Sequence, residues 1–336
     1  MLNGVETNGN LNIQLGITED GTAVYKDLAN IPHMLIAGTT GSGKTAFIQS
    51  LLVTLMLQYD HEKVRLAIFD SKKVNYGIFN GSANLLAPVS TDCTKAGGLI
   101  SFLNRKANRR IEMKQEGSLL NEEPEIFLII DDYSALSNNK TVSNELSDLL
   151  KIGRSVKIHC IISTSTPTAK IIPTELKANI PCRIAFSTAS KADSRIILDT
   201  NGAETLSAPG EMIFKWQNEL LKCRCLYFSD DDMQVILNYR KKKYDEDLNA
   251  SGQQVEKPFA GASVDDESSK TDPLLEDAID FVLEAGFASI SLLQRKFKLG
   301  YGRAARIIDE MEARGIIGAR DGSNPRKVLI TKKEKP

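Results

Sequence analysis

The sequence predicts an α/β protein: a doubly wound, mostly parallel sheet with helices on both faces, followed by a small helical domain. Three observations predict it. Five short runs, HMLIAG, VRLAIFD, EIFLIIDD, KIHCIISTS and CRIAFST, alternate with helical stretches between Pro32 and about Asp230. Each is almost continuously apolar, as strands buried on both faces are. The first run leads through a glycine-rich loop directly into a helical stretch, and after a polar interval short helical patterns return from Asp272.

Composition bounds the function. The 336 residues allow two or three domains. Lys plus Arg total 42 against 43 Asp plus Glu, which excludes a polycation but not a local basic face. Aromatic residues are 6%, with one Trp, which argues against a stacking-rich single-strand binder. Five Cys without a regular framework fit a reducing, cytoplasmic compartment. Cys223 and Cys225 alternate on a predicted strand and lack the further ligands a zinc site needs, with only three His in the chain. No segment reaches the roughly 18 apolar residues of a membrane span. The longest apolar stretch is SLLVTLML, and the N-terminus has no signal-peptide core. The chain reads as soluble.

The elements follow in order. Residues 1–30 form a short β segment, a small hairpin or a strand pair around EDG. Residues 31–240 form the α/β domain. Its glycine-rich loop, Gly38-Thr39-Thr40-Gly41-Ser42-Gly43-Lys44-Thr45, fits G-x-x-x-x-G-K-[ST] between a strand and a helix. The glycines permit close backbone approach, and the loop amides and helix N-terminus face phosphates. Lys44 would reach the β- and γ-phosphates of ATP, and Thr45 would ligate Mg²⁺. A P-loop needs an acid at the end of a second buried strand. Ile126 to Ile130 are apolar and lead to Asp131, the natural partner of the Mg²⁺ shell, and then to Asp132. Asp132 has two readings: it polarises the attacking water, or it caps the next element. At the end of KIHCIISTS, Thr164 is read as a sensor of the γ-phosphate or as a loop-capping hydroxyl. Lys72 and Lys73 lie at the same sheet edge and could face nucleotide, neighbour or DNA. Residues 241–271, polar and Gly/Ser-containing, read as a flexible linker.

Residues 272–332 read as a DNA-binding domain. Ala304, Ile307, Ile308 and Met311 make one apolar stripe at i, i+3, i+4 and i+7. GARDGSNPRKVLI after it reads as strand, turn, strand. Residues 272–284 hold five acids and no base, whereas residues 295–306 hold five bases and no acid. A near-neutral domain can thus offer one basic face to phosphates.

Several blocks together resemble the FtsK/SpoIIIE DNA-translocase family: PHMLIAGTTGSGKT, FDSKKV, APVSTD, GRSVKIH, KANIPCRIAFSTASKADSRIILD and PGEMIF, then DPLLEDAIDFVLEAGFASISLLQRKFKLGYGRAARIIDEMEARGII. The resemblance implies a RecA-like P-loop motor domain and a C-terminal winged-helix, or γ, domain. It implies an ATPase that moves along double-stranded DNA as a homo-oligomeric, hexameric ring. It lacks the family's membrane-spanning region and most of its α domain, of which residues 1–30 would be a remnant. Any membrane recruitment would come through a partner, and a mobile-element or phage origin, or a fragment, fits the short form. Arg154, in GRSVKIH, matches the arginine proposed to reach a neighbouring subunit's γ-phosphate; its other reading is a surface arginine at a helix end. Arg183 and Arg195 also match, with an interface or a structural role. In the winged helix, Arg303, Arg306 and Asp309 fall on the recognition helix, and Arg306 is placed to read base edges. Arg326 and Lys327 on the wing meet phosphates. The family usually carries Glu at Asp132 and Gln at Ser165. Two alternative functions therefore stand: an FtsK-like ATPase for conjugation or protein secretion, and a weakly hydrolysing, nucleotide-gated DNA-binding factor.

Overall fold

A computed structural model describes residues 11–251 and 274–297 and, beyond them, residues 304, 307–308, 310–312, 314, 316–318 and 326–329. The chain divides into two units, Met1–Val264 and Asp265–Pro336.

The first unit is built on one nine-stranded sheet. Its strands are β1 (Asn12–Thr18), β2 (Ala23–Asp27), β3 (His33–Ala37), β4 (Val64–Asp70), β5 (Glu125–Asp131), β6 (Ile158–Thr164), β7 (Cys182–Phe186), β8 (Glu211–Trp216) and β9 (Glu219–Cys225). Helices α1 (Lys44–Gln58), α2 (Cys93–Gln115), α3 (Lys140–Ile152), α4 (Thr174–Ala178), α5 (Lys191–Leu198) and α6 (Asp230–Ser251) connect or follow them. The order across the sheet is β2-β1-β9-β8-β7-β3-β6-β5-β4. All five predicted strands form, and they pair in parallel as β4-β5-β6-β3-β7. Strands β8, β9, β1 and β2 extend that parallel half with antiparallel pairings. The expected N-terminal hairpin therefore exists but does not stand apart, because β1 pairs with β9.

Two apolar cores flank the sheet. One holds α1, which presents buried side chains on all sides, including Phe47, Ile48, Leu51, Leu52 and Leu55. A helix apolar all round has to be covered on both faces, and α6 lies over it through Met233. The other core packs α2, α3 and α5 against the opposite face.

The linker read over residues 241–271 needs correction. Helix α6 continues to Ser251, well past Lys241. Lys, Asp and Glu look like linker by composition but are compatible with helix, and no Gly or Pro interrupts the stretch. Arg240 Nη2 donates to the Tyr59 carbonyl at 3.0 Å, and the Tyr244 ring meets His61 edge-on. Lys242 and Glu246 form an i,i+4 pair. The rest of the linker reading lies outside the described residues.

The second unit contains α7 (Leu275–Ala285), β10 (Phe287–Ala288), α8 (Ile290–Phe297), the helical residues Ala304, Ile307, Ile308, Glu310, Met311 and Glu312, and β11 (Arg326–Lys327). β10 and β11 pair antiparallel, and Ile317 bridges to Val328. The expected stripe of Ala304, Ile307, Ile308 and Met311 is buried against Leu275, Ile279, Val282 and Leu293. Helix, strand, helix, further helical residues and a closing antiparallel pairing, in that order among the described residues, match the winged helix the sequence predicts.

Candidate functional site

The glycine-rich loop leaves β3 at the carboxyl edge of the parallel strands. Two of its glycines are needed for close backbone approach, and Gly43 for its backbone angle as well. A Cβ on Gly43 would lie 2.8 Å from the Gly210 amide nitrogen, and Gly43 holds φ at +110° as the residue before α1. A Cβ on Gly38 would lie 2.8 Å from the Phe186 Cβ. The loop is latched from outside: Thr39 N–H donates to the Ser187 carbonyl at 2.8 Å, and Gly210 N–H donates to the Ser42 carbonyl at 2.9 Å. Lys44 folds over the loop, with Nζ donating to the Gly38 and Thr39 carbonyls at 2.8 Å each. Burial, followed by the charge of Lys72, lowers its pKa to about 8, although Asp131 and Asp132 pull the other way.

The strand order places the acids. β6 lies between β3 and β5, so the end of β5 stands two strands, about 10 Å, from the loop strand. Asp131 ends β5 and is 2% exposed. One of its oxygens accepts from Ser163 Oγ at 2.6 Å and the other from Asn75 Nδ2 at 3.2 Å. Burial raises its pKa, against the Ser163 bond, the charge of Lys72 and the Asn75 bond. Ser163 Oγ also accepts from the Asp132 amide at 3.0 Å. One hydroxyl on β6 thus holds both acids.

Asp132 has φ +65°, a left-handed conformation that L residues other than Asn and Asp rarely adopt. Its carboxylate accepts from Ser134 Oγ and, at 3.0 Å, from Ser165 Oγ. It precedes a 3₁₀ turn over Tyr133–Ala135 but makes no side-chain capping bond to it. One of its bonds comes from the Ser134 hydroxyl within that turn and the other runs across to the end of β6.

The neighbouring loop was only partly legible. Asp70, which ends β4, accepts from the amides of Lys72, Asn75 and Tyr76 and so shapes the loop that carries Asn75. Gln49 of α1 donates to the Asn75 carbonyl at 2.6 Å. Sequence reasoning picked out Lys72 and Lys73 here but missed Asn75. An Asn five residues after a strand carries no signal until β4 and β5 are known to be neighbours.

Three expectations are placed differently or not at all. Thr164 is buried, and its hydroxyl accepts from the Thr166 amide, the loop-capping bond. Ser163 and Ser165 make the contacts to the acids instead. Arg154 is exposed on a 3₁₀ turn before β6, at the opposite edge of the sheet. The seven residues of β6 separate it from its own chain's loop by about 20 Å. It lines a cleft of about 700 Å³ with Lys26, Asp27, Ile31, Trp216 and Glu219. Arg303, Arg306 and Asp309 lie outside the described residues. Arg326 is engaged by Glu312, whereas Lys327 is exposed. Arg295 and Lys296 are exposed on α8, with Lys296 Nζ 4.9 Å from the centre of the Phe281 ring.

Two family models match. The FtsK/SpoIIIE family model covers residues 6–204, and the Ftsk gamma domain model covers residues 269–331. The chain belongs to the FtsK/SpoIIIE family. Membership brings nucleotide binding with it and accounts for the P-loop. The chain is 37% identical over 339 residues to the DNA translocase FtsK of Caldanaerobacter subterraneus subsp. tengcongensis, covering 96% of this chain and 47% of that one. It is 33% identical over 350 residues to the DNA translocase SpoIIIE of Bacillus subtilis, covering 96% and 43%. The chain therefore spans about half the length of these family relatives. Among solved structures, the pCW3 conjugation coupling protein TcpA, as a monomer with ATPgS, superposes with a TM-score of 0.61 at 25% identity, over 70% of this chain and 71% of that one. EssC (ATPases 2 and 3) from Geobacillus thermodenitrificans shares the fold, with a TM-score of 0.62 at 14% identity over 80% and 56%. Among the described residues, no helix is long and apolar enough to cross a membrane.

Proposed function

We propose that the chain is an ATP-driven double-stranded DNA translocase, with ATP hydrolysed in the first unit and duplex DNA gripped by the second. One observation carries this reading: a complete P-loop and a serine-clamped pair of acids at one sheet edge, in the same chain as a gamma unit. The donor set fits Mg²⁺. Mg²⁺ keeps most of its waters and takes one or two protein oxygens beside those of the phosphates, and the Thr45 hydroxyl and the buried Asp131 carboxylate offer two. The ion supplies charge neutralisation on the phosphates. Lys44 exchanges its two loop carbonyls for phosphate oxygens, and the polyanion returns its pKa toward the ordinary lysine range. Asp132, turned by its left-handed backbone and held by Ser134 and Ser165, orients the attacking water.

Arg154 cannot serve the nucleotide of its own chain, so it acts on that of a neighbouring copy in a head-to-tail ring. An arginine supplied in trans is worth about 10³–10⁵ in rate. The test is ATP hydrolysis with Mg²⁺ and long duplex DNA. Turnover should rise on adding DNA and fall to background in Lys44→Ala. Parent protein that hydrolyses no ATP under those conditions would overturn the proposal. The likeness to a conjugation coupling protein favours a related cargo as the second reading. A gel shift of the parent chain against the chain truncated after residue 268, on duplex DNA of random sequence, separates the two. Equal binding would remove the gamma unit from the argument.

A further inference from the structure

The turn that carries Arg154 exposes Arg154 and Ser155, buries Gly153 and Val156, and is held from inside the protein. Gly153–Val156 form a single 3₁₀ turn between α3 and β6. Beneath it lies Arg110 of α2, which is 1% exposed. Arg110 Nη1 donates to the Val156 carbonyl at 2.8 Å and to the Lys157 carbonyl at 3.2 Å. Nε and Nη2 share one oxygen of Glu123, at 3.0 and 2.7 Å, and Nη2 also reaches the Pro124 carbonyl at 2.9 Å. Burial acts to raise the Glu123 carboxyl, but the Arg110 bond and charge outweigh it and hold it below the usual range. From the end of the same helix, Lys114 Nζ donates to the Ser155 carbonyl at 3.0 Å.

The other side of the turn rests on a histidine. His33 Nδ1 accepts from the Cys160 amide at 3.1 Å, so Nε2 carries the proton and donates to the Leu150 carbonyl at 2.8 Å. A Cβ on Gly153 would lie 2.6 Å from the Ile158 carbonyl oxygen and 3.0 Å from His33 Cε1. The backbone therefore lies directly against the ring. The carbonyls of residues 150, 155, 156 and 157 are each taken by a side chain from another element, while the Arg154 side chain is left to line the cleft.

Stability alone is a weak reason for this arrangement. A wholly buried guanidinium is costly to desolvate, and an apolar side chain of similar volume would pack α2 as well. The planar fork does what an apolar group cannot, because it fixes several carbonyls in one geometry. We propose that Arg110, seconded by His33, is a positioning residue for Arg154, locking the turn so that the guanidinium meets a neighbouring copy's nucleotide without reorganisation. The inference rests on the trans role given to Arg154 above and adds what makes that role effective.

Mixed rings test it. Lys44→Ala subunits have no working nucleotide loop but still donate Arg154; Arg154→Ala subunits have the loop and donate nothing. Mixed in equal amounts before assembly on duplex DNA, the two regain ATPase activity at junctions where the first serves the second. Arg110→Gln is then added to the donor alone or to the acceptor alone. A misplacement of about 1 Å costs about 10²-fold, so the donor variant should lower the regained kcat at least about tenfold, with KM for ATP little changed. The acceptor variant should leave the regained activity within about twofold of the unmodified mixture. Equal losses in the two arrangements would overturn the positioning role in favour of a merely structural one. No regain in the starting mixture would instead overturn the trans role of Arg154, and the proposal with it. Should Arg110→Gln fail to fold by thermal melting, His33→Gln is carried through the same two arrangements and judged by the same asymmetry.

Discussion

Ser163 and His33 show how much one side chain can hold. Ser163 Oγ donates to Asp131 and accepts from the Asp132 amide, so Ser163→Ala loosens both acids together. Turnover is expected to fall by about ten- to a hundredfold. The Ser163 bond also opposes the upward push of burial on Asp131. Its loss raises that carboxyl further and moves the acid limb of the pH–rate profile to higher pH. An unshifted limb with unchanged kcat would exclude the clamp. His33 makes a stability prediction. Burial, then the charge of His159, lowers its pKa from 6.5 to about 4, against the bond to Leu150. The unfolded chain takes up a proton below about pH 6.5, and the folded chain does not until about pH 4. Stability therefore falls as pH drops through that window, by about 3 kcal/mol in total from this group. Urea unfolding of His33→Gln between pH 7.5 and 4.5 should show a flatter pH dependence than the parent. Parallel curves would refute it.

Among the elements, α5 explains the block SKADSRIILD. Ser190 caps its N-terminus by accepting from the Asp193 amide, and Ser194 Oγ donates to the Thr200 carbonyl beyond its C-terminus. Asp199 then turns left-handed, at φ +59°, and gathers Lys177, Arg183 and Lys215. Arg183 and Lys215 also donate to the Ile197 and Leu198 carbonyls, which the helix end leaves free. Arg183 is thus a structural capping residue, one of the two readings the sequence allowed. Asp199 is half exposed, so solvent screens it. Asp199→Ala is expected to cost about 1–2 kcal/mol, a fall of several degrees in Tm that shrinks in high salt. Superimposable melts would discard the cap. Element existence was the most legible feature of the sequence. The parallel strands announce themselves because burial on both faces forbids alternation, and the P-loop is local along the chain. Helix α6 was not legible as far as Ser251, since a solvated charged helix and a linker share a composition and only the docking of Arg240 and Tyr244 separates them.

At the scale of the whole molecule, the proposed activity would depend on two units and on more than one copy. Phosphate contacts release counterions, so DNA affinity should fall steeply with salt, and removing residues 269–336 should flatten that slope. DNA affinity measured between 50 and 200 mM salt for the whole and the shortened chain checks this; identical slopes would assign binding to the first unit alone.

The sequence by itself determined the class of fold, the five parallel strands, the nucleotide loop with Lys44 and Thr45, the acid pair Asp131 and Asp132, and the apolar stripe of the second unit. All of these are written in contiguous residues or in a short period. Only the tertiary structure decided which groups meet the acids and which edge each residue occupies. Ser163, Ser165 and Asn75 reach Asp131 and Asp132 because β6 and β4 flank β5, and Arg154 stands about 20 Å from its own loop because it precedes β6 while the loop follows β3. Strand order comes from how the whole chain buries its apolar faces, and no local stretch of residues contains that information.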